Sequence, residues 1–125
     1  MEEVKINLSE YKSQNSTVFT GRIQGEQVRA KLELDNLDNS VNKVVIFIIP
    51  EETTSFNPSF FLGLLYPSIK KLGMDQFKSK YTFKITSLNS EMKSVLENNL
   101  ADGYRNAANA LKKNYGFDSF VKKSK

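Results

Sequence analysis

The sequence predicts one α/β domain: a mostly parallel or mixed central sheet of about four strands, covering helices and a long C-terminal helix. Strand-like apolar segments alternate along the chain with segments of helical periodicity. The length of 125 residues is that of one ordinary domain. The hydrophobic fraction of 39% is sufficient for a packed core, so the composition does not favour disorder.

Four segments have strand patterns: residues 4–8, 17–19, 44–49 and 80–86. The most pronounced is Val44–Ile49, which is apolar throughout and rich in β-branched residues. A continuous apolar run is typical of a central strand covered on both faces. Pro50 follows and ends the strand, since it has no backbone donor for the ladder.

The first helix is predicted over residues 21–37, with Thr20 as its N-cap. Val28 and Leu32 lie nearly opposite its main apolar face, so the helix is either buried on two sides or ends early. Gly25 lies inside this segment, where glycine costs about 1 kcal/mol relative to alanine. We expect that it allows close approach to a neighbouring backbone.

The second helix is predicted to begin after Asn57, which can cap it, with Pro58 in its first turn. Gly73 is the expected stop. Pro67 interrupts the pattern, because it removes one hydrogen bond and clashes with the preceding turn. We therefore expect a kink near Gly63 or two short helices.

A long amphipathic helix is predicted to start at Asn89 or Ser90 and to stop at Gly116. The domain is thus expected to cover residues 1–116, followed by a basic tail over 117–125. The apolar face of this helix can pack on its own sheet or on a second copy of the chain, so a homodimer is one expectation.

The composition restricts the chemistry. The chain contains no cysteine and no histidine, which removes thiol nucleophiles, zinc-thiolate sites and the commonest general base. It contains no phosphate-binding glycine loop, metal-ligand spacing or nucleophile elbow. We expect no cofactor, no metal and no enzymatic activity; an enzyme with an unrecognised site is the third hypothesis. The acidic start and the absence of a membrane-spanning run predict a cytoplasmic protein without membrane contact.

The segment SFNPS, residues 55–59, lies between the central strand and the second helix. One interpretation is capping and turn formation alone. The other is a surface for partner binding over residues 51–66, centred on Ser55, Phe56, Asn57 and Ser59, because partners meet the carboxyl ends of strands in open α/β sheets. Ser59 and Ser55 are candidate phosphorylation sites beside a helix start.

Two arginines of the first helix are further candidates. Arg22 and Arg29 each precede a glutamate, Glu26 and Glu33, by four residues. These pairs predict a charged stripe facing solvent. The alternative is that the arginines bind a carboxylate or phosphate of a partner.

Three pieces of the sequence carry a resemblance to a known family: FTGRIQGEQVRAKL, KVVIFIIPEETTSFNPSFFLGLL and LGMDQFKSKYTFKITSLNSEMKSVLENNL. In this order they resemble the STAS-like family of unknown function, which is related to sulfate-transporter and anti-sigma-factor antagonist domains. The resemblance covers residues 17–100. It implies a non-enzymatic regulatory domain whose partner is a protein, such as a histidine-kinase-like ATPase or a sigma-factor regulator.

The sequence departs from this family at two points. The family often has an acidic residue in the central strand, where this chain has Phe47 and Ile48. The antagonists carry a phosphorylated serine at the junction, and the corresponding position here is Pro58, which has no hydroxyl. A phosphorylation switch at that position is therefore not expected.

The net charge of +4 is concentrated near the end of the chain, in Lys112, Lys113, Lys122, Lys123 and Lys125. The alternative function is thus a basic nucleic-acid-associated module. Acidic and basic residues are mixed elsewhere, so a solvated end is the simpler interpretation and nucleic acid is not the expected partner.

Overall fold

The computed structural model describes the backbone of residues 1–12 and 16–123, and the side chains of residues 1–12 and 16–113. Strands and helices alternate, which confirms the α/β class and the long C-terminal helix. The elements are β1 (Glu2–Asn7), a 3-10 helix (Leu8–Tyr11), β2 (Val18–Phe19), α1 (Arg22–Leu32), α2 (Leu34–Asn39), β3 (Lys43–Ile49), β4 (Ser55–Phe56), α3 (Pro58–Leu72), α4 (Met74–Lys80), β5 (Tyr81–Ile85) and α5 (Ser90–Lys123).

The central sheet has three parallel strands in the order β1-β3-β5, and β2 and β4 form a separate parallel pair. The prediction that β3 is central is confirmed. The expected sheet of about four strands was wrong, because β2 leaves the sheet to pair with β4. The sequence did not reveal β4, since its two residues are too few to show a period.

Among the described residues, helices cover only one face of this sheet. Ile6, Phe47 and Phe83 are register partners. Ile6 and Phe47 belong to the hydrophobic core together with the buried helix faces, and Phe83 packs against that core. The alternate residues of β3, Val44, Ile46 and Ile48, are partly exposed and lie outside that core. The expectation that β3 is covered on both faces was therefore wrong. The helices α1, α3 and α5 lie side by side, with α3 in contact with both others.

Helix α3 begins as predicted. The side chain of Asn57 accepts a hydrogen bond from the Ser59 N–H at 2.8 Å, and Pro58 is the first helical residue. The helix runs unbroken through Pro67 to Gly73, so the expectation of two short helices was wrong. Leu64, Leu65 and Ile69 are fully buried around the proline. We infer that their packing outweighs the cost of a helical proline, about 3 kcal/mol.

The predicted first helix divides into α1 and α2 at Glu33, which has a left-handed backbone with φ of 52°. Its N-cap is Gly21 instead of Thr20. The division turns the chain so that Leu34 and Asp38 become buried. Of the two alternatives for this segment, the early end of the helix is therefore confirmed.

Helix α5 is capped by Asn89, whose side chain accepts a hydrogen bond from the Met92 N–H at 2.9 Å, as predicted. It continues past Gly116 to Lys123, so the predicted stop was wrong. A single helical glycine costs only about 1 kcal/mol relative to alanine, so a glycine alone does not end a long helix. The side chains of the predicted basic tail, 117–125, lie outside the described residues.

Helices α1 and α3 touch through glycine. A Cβ atom on Gly25 would collide with the Phe60 carbonyl oxygen and would lie 2.8 Å from the Leu64 nitrogen. A Cβ atom on Gly63 would collide with the Arg22 carbonyl oxygen. The expectation that Gly25 allows close approach to another backbone is thus confirmed. Each helix needs a glycine at the contact, because backbone atoms cannot move aside as a side chain can.

We predict that Gly25→Ala and Gly63→Ala each lower the free energy of unfolding by about 2 kcal/mol, as expected for overpacking. Alanine has a higher helix propensity than glycine and would otherwise raise stability. The sign of the change in unfolding free energy therefore distinguishes overpacking from helix propensity. Urea denaturation measures the change, with Gln27→Ala, exposed on α1, as the control. A stabilised Gly63→Ala variant would contradict the close contact.

Candidate functional site

The candidate site lies where β3 ends. In a parallel sheet the carboxyl ends of all strands meet at one edge, and the chain leaving β3 at this edge forms the loop that leads into α3. We define the junction surface as residues 51–59 together with residues 16–21, which lead into α1. The β2–β4 pair joins these two segments.

Hydrogen bonds hold the two segments side by side. The Thr54 N–H donates to the Thr17 carbonyl at 2.7 Å, and the two threonine hydroxyls are 2.8 Å apart. The Asn57 N–H donates to the Phe19 carbonyl at 2.8 Å. The entries to α1 and α3 therefore form one structural unit.

Ser59 connects the starts of the two helices. Its hydroxyl donates to Asn57 Oδ1 at 2.7 Å and accepts from the Gly21 N–H at 3.2 Å. Neither helix has an acidic residue in its first turn. The positive ends of two helix dipoles thus meet beside one partly buried hydroxyl, and this arrangement favours negative charge.

The structure separates the predicted junction residues by exposure. Ser55, Asn57 and Ser59 are partly exposed, whereas Phe56 is fully buried. The rings of Phe56, Phe19 and Phe60 pack with centroids 5.3–5.4 Å apart. Phe56 therefore supports the junction surface from below, and it does not present its ring to a partner.

Asn99 is a further residue of the site, and the sequence did not predict it. Its side-chain oxygen accepts a hydrogen bond from the Phe56 N–H at 2.9 Å, which ties α5 to β4. Its position on α5 gave no sign of this contact, because the two residues are 43 positions apart.

The outer part of the junction surface is polar. Glu51, Glu52 and Thr54 are exposed, and Glu52 lies 3.4 Å from Lys12. Thr53 is fully buried, and its hydroxyl is the one buried side-chain polar atom without a hydrogen-bond partner among the described residues. Such a group carries a desolvation cost that is not offset.

Arg22 is exposed at the first position of α1. Its guanidinium lies 3.9 Å from Glu26, as predicted, and its Cζ lies 5.9 Å from the centre of the Tyr66 ring. Exposed pairs of this kind contribute little to stability, and the side chain is accessible next to the junction surface.

Arg29 is only 8% exposed, so the predicted solvent-facing stripe does not include it. Its guanidinium donates to Asp35 at 2.6 Å and to Asp38 at 3.0 Å, instead of pairing with Glu33. It also donates to the Leu64 carbonyl at 3.0 Å and to Ser68 Oγ at 2.7 Å. The structure thus gives Arg29 an internal role, and a role in partner binding stays a prediction.

Asp38 is the centre of this buried network. It accepts hydrogen bonds from Ser68 Oγ at 2.9 Å and from the Tyr81 hydroxyl at 2.5 Å, in addition to that from Arg29. Burial and the hydrogen bond to Asp38 raise the pKa of Tyr81. The hydrogen bond and the charge of Arg29 lower the pKa of Asp35. The network joins α1, α2, α3 and β5, and it is structural because its polar atoms satisfy each other.

The described residues contain no group of three or more acidic side chains that could hold a metal ion. In the same part of the chain, no helix combines the length and apolar character needed to cross a bilayer. Comparisons with protein-family models, curated proteins and solved structures found no match to this chain. The STAS-like resemblance therefore stays a prediction.

The nucleic-acid alternative also stays a prediction. Lys112 and Lys113 are exposed on α5, and the side chains of the later lysines lie outside the described residues. The open sheet face carries aliphatic side chains on β3 and no aromatic ring among its described β1, β3 and β5 positions. A sheet that binds single strands uses aromatic rings for stacking, so this face does not support that function.

We predict that Asp38→Asn lowers the free energy of unfolding by about 3 kcal/mol, since it leaves the buried Arg29 charge without its buried carboxylate partner. Asp35→Asn is the matched control, because this carboxylate bonds the same guanidinium from an exposed position. Its effect should be much smaller. Urea denaturation at neutral pH measures the free energy of unfolding of both variants. Equal losses of stability would contradict the burial of Asp38 and the exposure of Asp35.

Proposed function

We propose that the protein is a non-enzymatic regulatory domain that binds a partner protein through the junction surface. This surface is the accessible part of the predicted range 51–66, because residues 60–66 are mostly buried. The observation that carries this proposal is the Ser59 hydroxyl, which connects the starts of α1 and α3 at the carboxyl edge of the sheet. A change at this one partly exposed group acts on both helix entries at once.

The junction surface has the composition of a small protein-binding surface. Val18 is 39% exposed, with the exposed hydroxyls of Thr17 and Thr54 nearby. Charged Glu51 and Glu52 lie at the rim. Val18 therefore supplies accessible apolar area beside polar and charged groups, a combination that protein interfaces use. The buried aromatic cluster beneath it limits rearrangement, which lowers the entropic cost of binding.

Phosphorylation of Ser59 is the regulatory step that we propose, with Ser55 as the second candidate. A partner kinase would transfer a phosphoryl group from a nucleoside triphosphate to Ser59 Oγ, which loses its proton. The hydroxyl could then no longer donate to Asn57, and nearly two negative charges would appear beside the Gly21 N–H. Binding would be modulated because the junction surface itself changes charge and hydrogen bonding.

The class of partner follows from the resemblance described above. STAS-like domains related to anti-sigma-factor antagonists suggest a histidine-kinase-like ATPase or a sigma-factor regulator in the cytoplasm. The hydroxyl of Ser59, one residue after the family's phosphoacceptor position, supports such regulation here.

Affinity capture from the native host tests the proposal. We predict that Glu52→Lys and Ser59→Glu each reduce the captured partner about tenfold, since they change the charge of the docking surface. Glu97→Lys is the control for Glu52→Lys, because it makes the same charge change at an exposed position of α5. Quantitative mass spectrometry of the captured proteins gives the ratio.

A protein that is captured equally by the wild type and both junction variants would contradict the proposal. Circular dichroism of each variant shows whether the fold is retained, which separates loss of binding from loss of structure.

A further inference from the structure

The outer edge of β1 is open. Among the described residues, β3 is the only strand paired with β1, and no helix packs extensively against β1. Glu2, Glu3, Lys5 and Asn7 of this strand are exposed. An edge strand with free backbone groups is a template for pairing with another chain.

The hydrogen-bond pattern shows which groups face outward. The Glu2 N–H donates to the Asn42 carbonyl at 2.9 Å, so the backbone groups of Glu2 point toward β3. In a parallel ladder, alternate residues point their groups to the same neighbour. The N–H and C=O groups of Glu3, Lys5 and Asn7 therefore point away from the sheet.

We propose that this edge pairs with β1 of a second copy of the chain, antiparallel and about a two-fold axis at Val4. In this register Glu3 lies opposite Lys5 of the partner subunit, and Lys5 lies opposite the partner's Glu3. Each such pair exchanges two backbone hydrogen bonds, because both residues have outward-facing groups. The interface is self-complementary, as a two-fold axis requires.

Charge selects this register over its neighbours. A shift of the axis to Lys5 places Lys5 opposite the partner's Lys5. A shift to Glu3 places the two glutamates opposite each other. Like charges directly opposite are destabilising and opposite charges are stabilising, so only the register centred on Val4 is favoured.

The pairing also extends the open face of the sheet. Glu3 and Lys5 are register partners of Val44 and Ile46, so their side chains lie on the uncovered face. An axis perpendicular to the sheet keeps the open faces of both copies on the same side. The result is a six-stranded sheet. The salt bridges between Glu3 and Lys5 lie on its open face, between the aliphatic β3 side chains of the two copies. This surface is separate from the junction, so the inference does not rest on the proposed function.

A charge-complementation experiment tests the pairing. Sedimentation velocity of the wild type should show a concentration-dependent dimer. Glu3→Lys places lysines at positions 3 and 5, and Lys5→Glu places glutamates at both, so each variant alone should be monomeric. A mixture of the two should form a heterodimer, since every facing pair is then of opposite charge.

The double variant with Glu3→Lys and Lys5→Glu should dimerise again, because the exchange restores opposite charges across the axis. Glu91→Lys and Lys93→Glu, both exposed on α5, are the matched controls and should dimerise like the wild type. A wild type that stays monomeric at all concentrations would overturn the proposal. So would a dimer that persists in both single variants, or a mixture that stays monomeric.

Discussion

The close contact between α1 and α3 is the constraint on which the rest of the structure depends. Both crossover connections of the sheet bring a helix to the same face, and these helices meet through Gly25 and Gly63 without intervening side chains. This contact fixes how the two crossovers lie relative to each other. It therefore also fixes where their N-terminal ends meet at the carboxyl edge of the sheet.

Two polar contacts reinforce the same pair of helices on either side of the glycines. At the N-terminal ends, the Gly21 N–H bonds to Ser59 Oγ. Further along, Arg29 bonds to Ser68 and to Asp38. The helices thus run parallel with contacts at successive levels, and the buried network explains why the chain tolerates a charge there. The junction surface is the exposed end of this rigid unit.

Much of the fold was predictable because its signals are local. The apolar run of β3, the Asn57 and Asn89 caps, and the strand alternation of β5 depend on neighbouring residues alone. Contacts between residues that are distant in sequence determine the position of the break at Glu33, the burial of Arg29 and the pairing of β2 with β4. No local pattern reports such contacts. For the same reason the sequence located the junction but placed Phe56 on its surface, whereas tertiary packing buries it.

The hydrogen bond from the Gly21 N–H to Ser59 Oγ depends on the contact between the two helices, and hydrogen exchange of the Gly21 amide measures this dependence most directly. The Gly25 amide, bonded to the Gly21 carbonyl at 3.1 Å, serves as the internal reference. The Gly21 amide should be protected in the wild type and exposed to exchange in Ser59→Ala. It should also lose protection in Gly63→Ala, where Ser59 is intact but the helices are pushed apart. Unchanged protection of Gly21 in both variants would contradict the claim that the glycine contact sets the geometry of the junction.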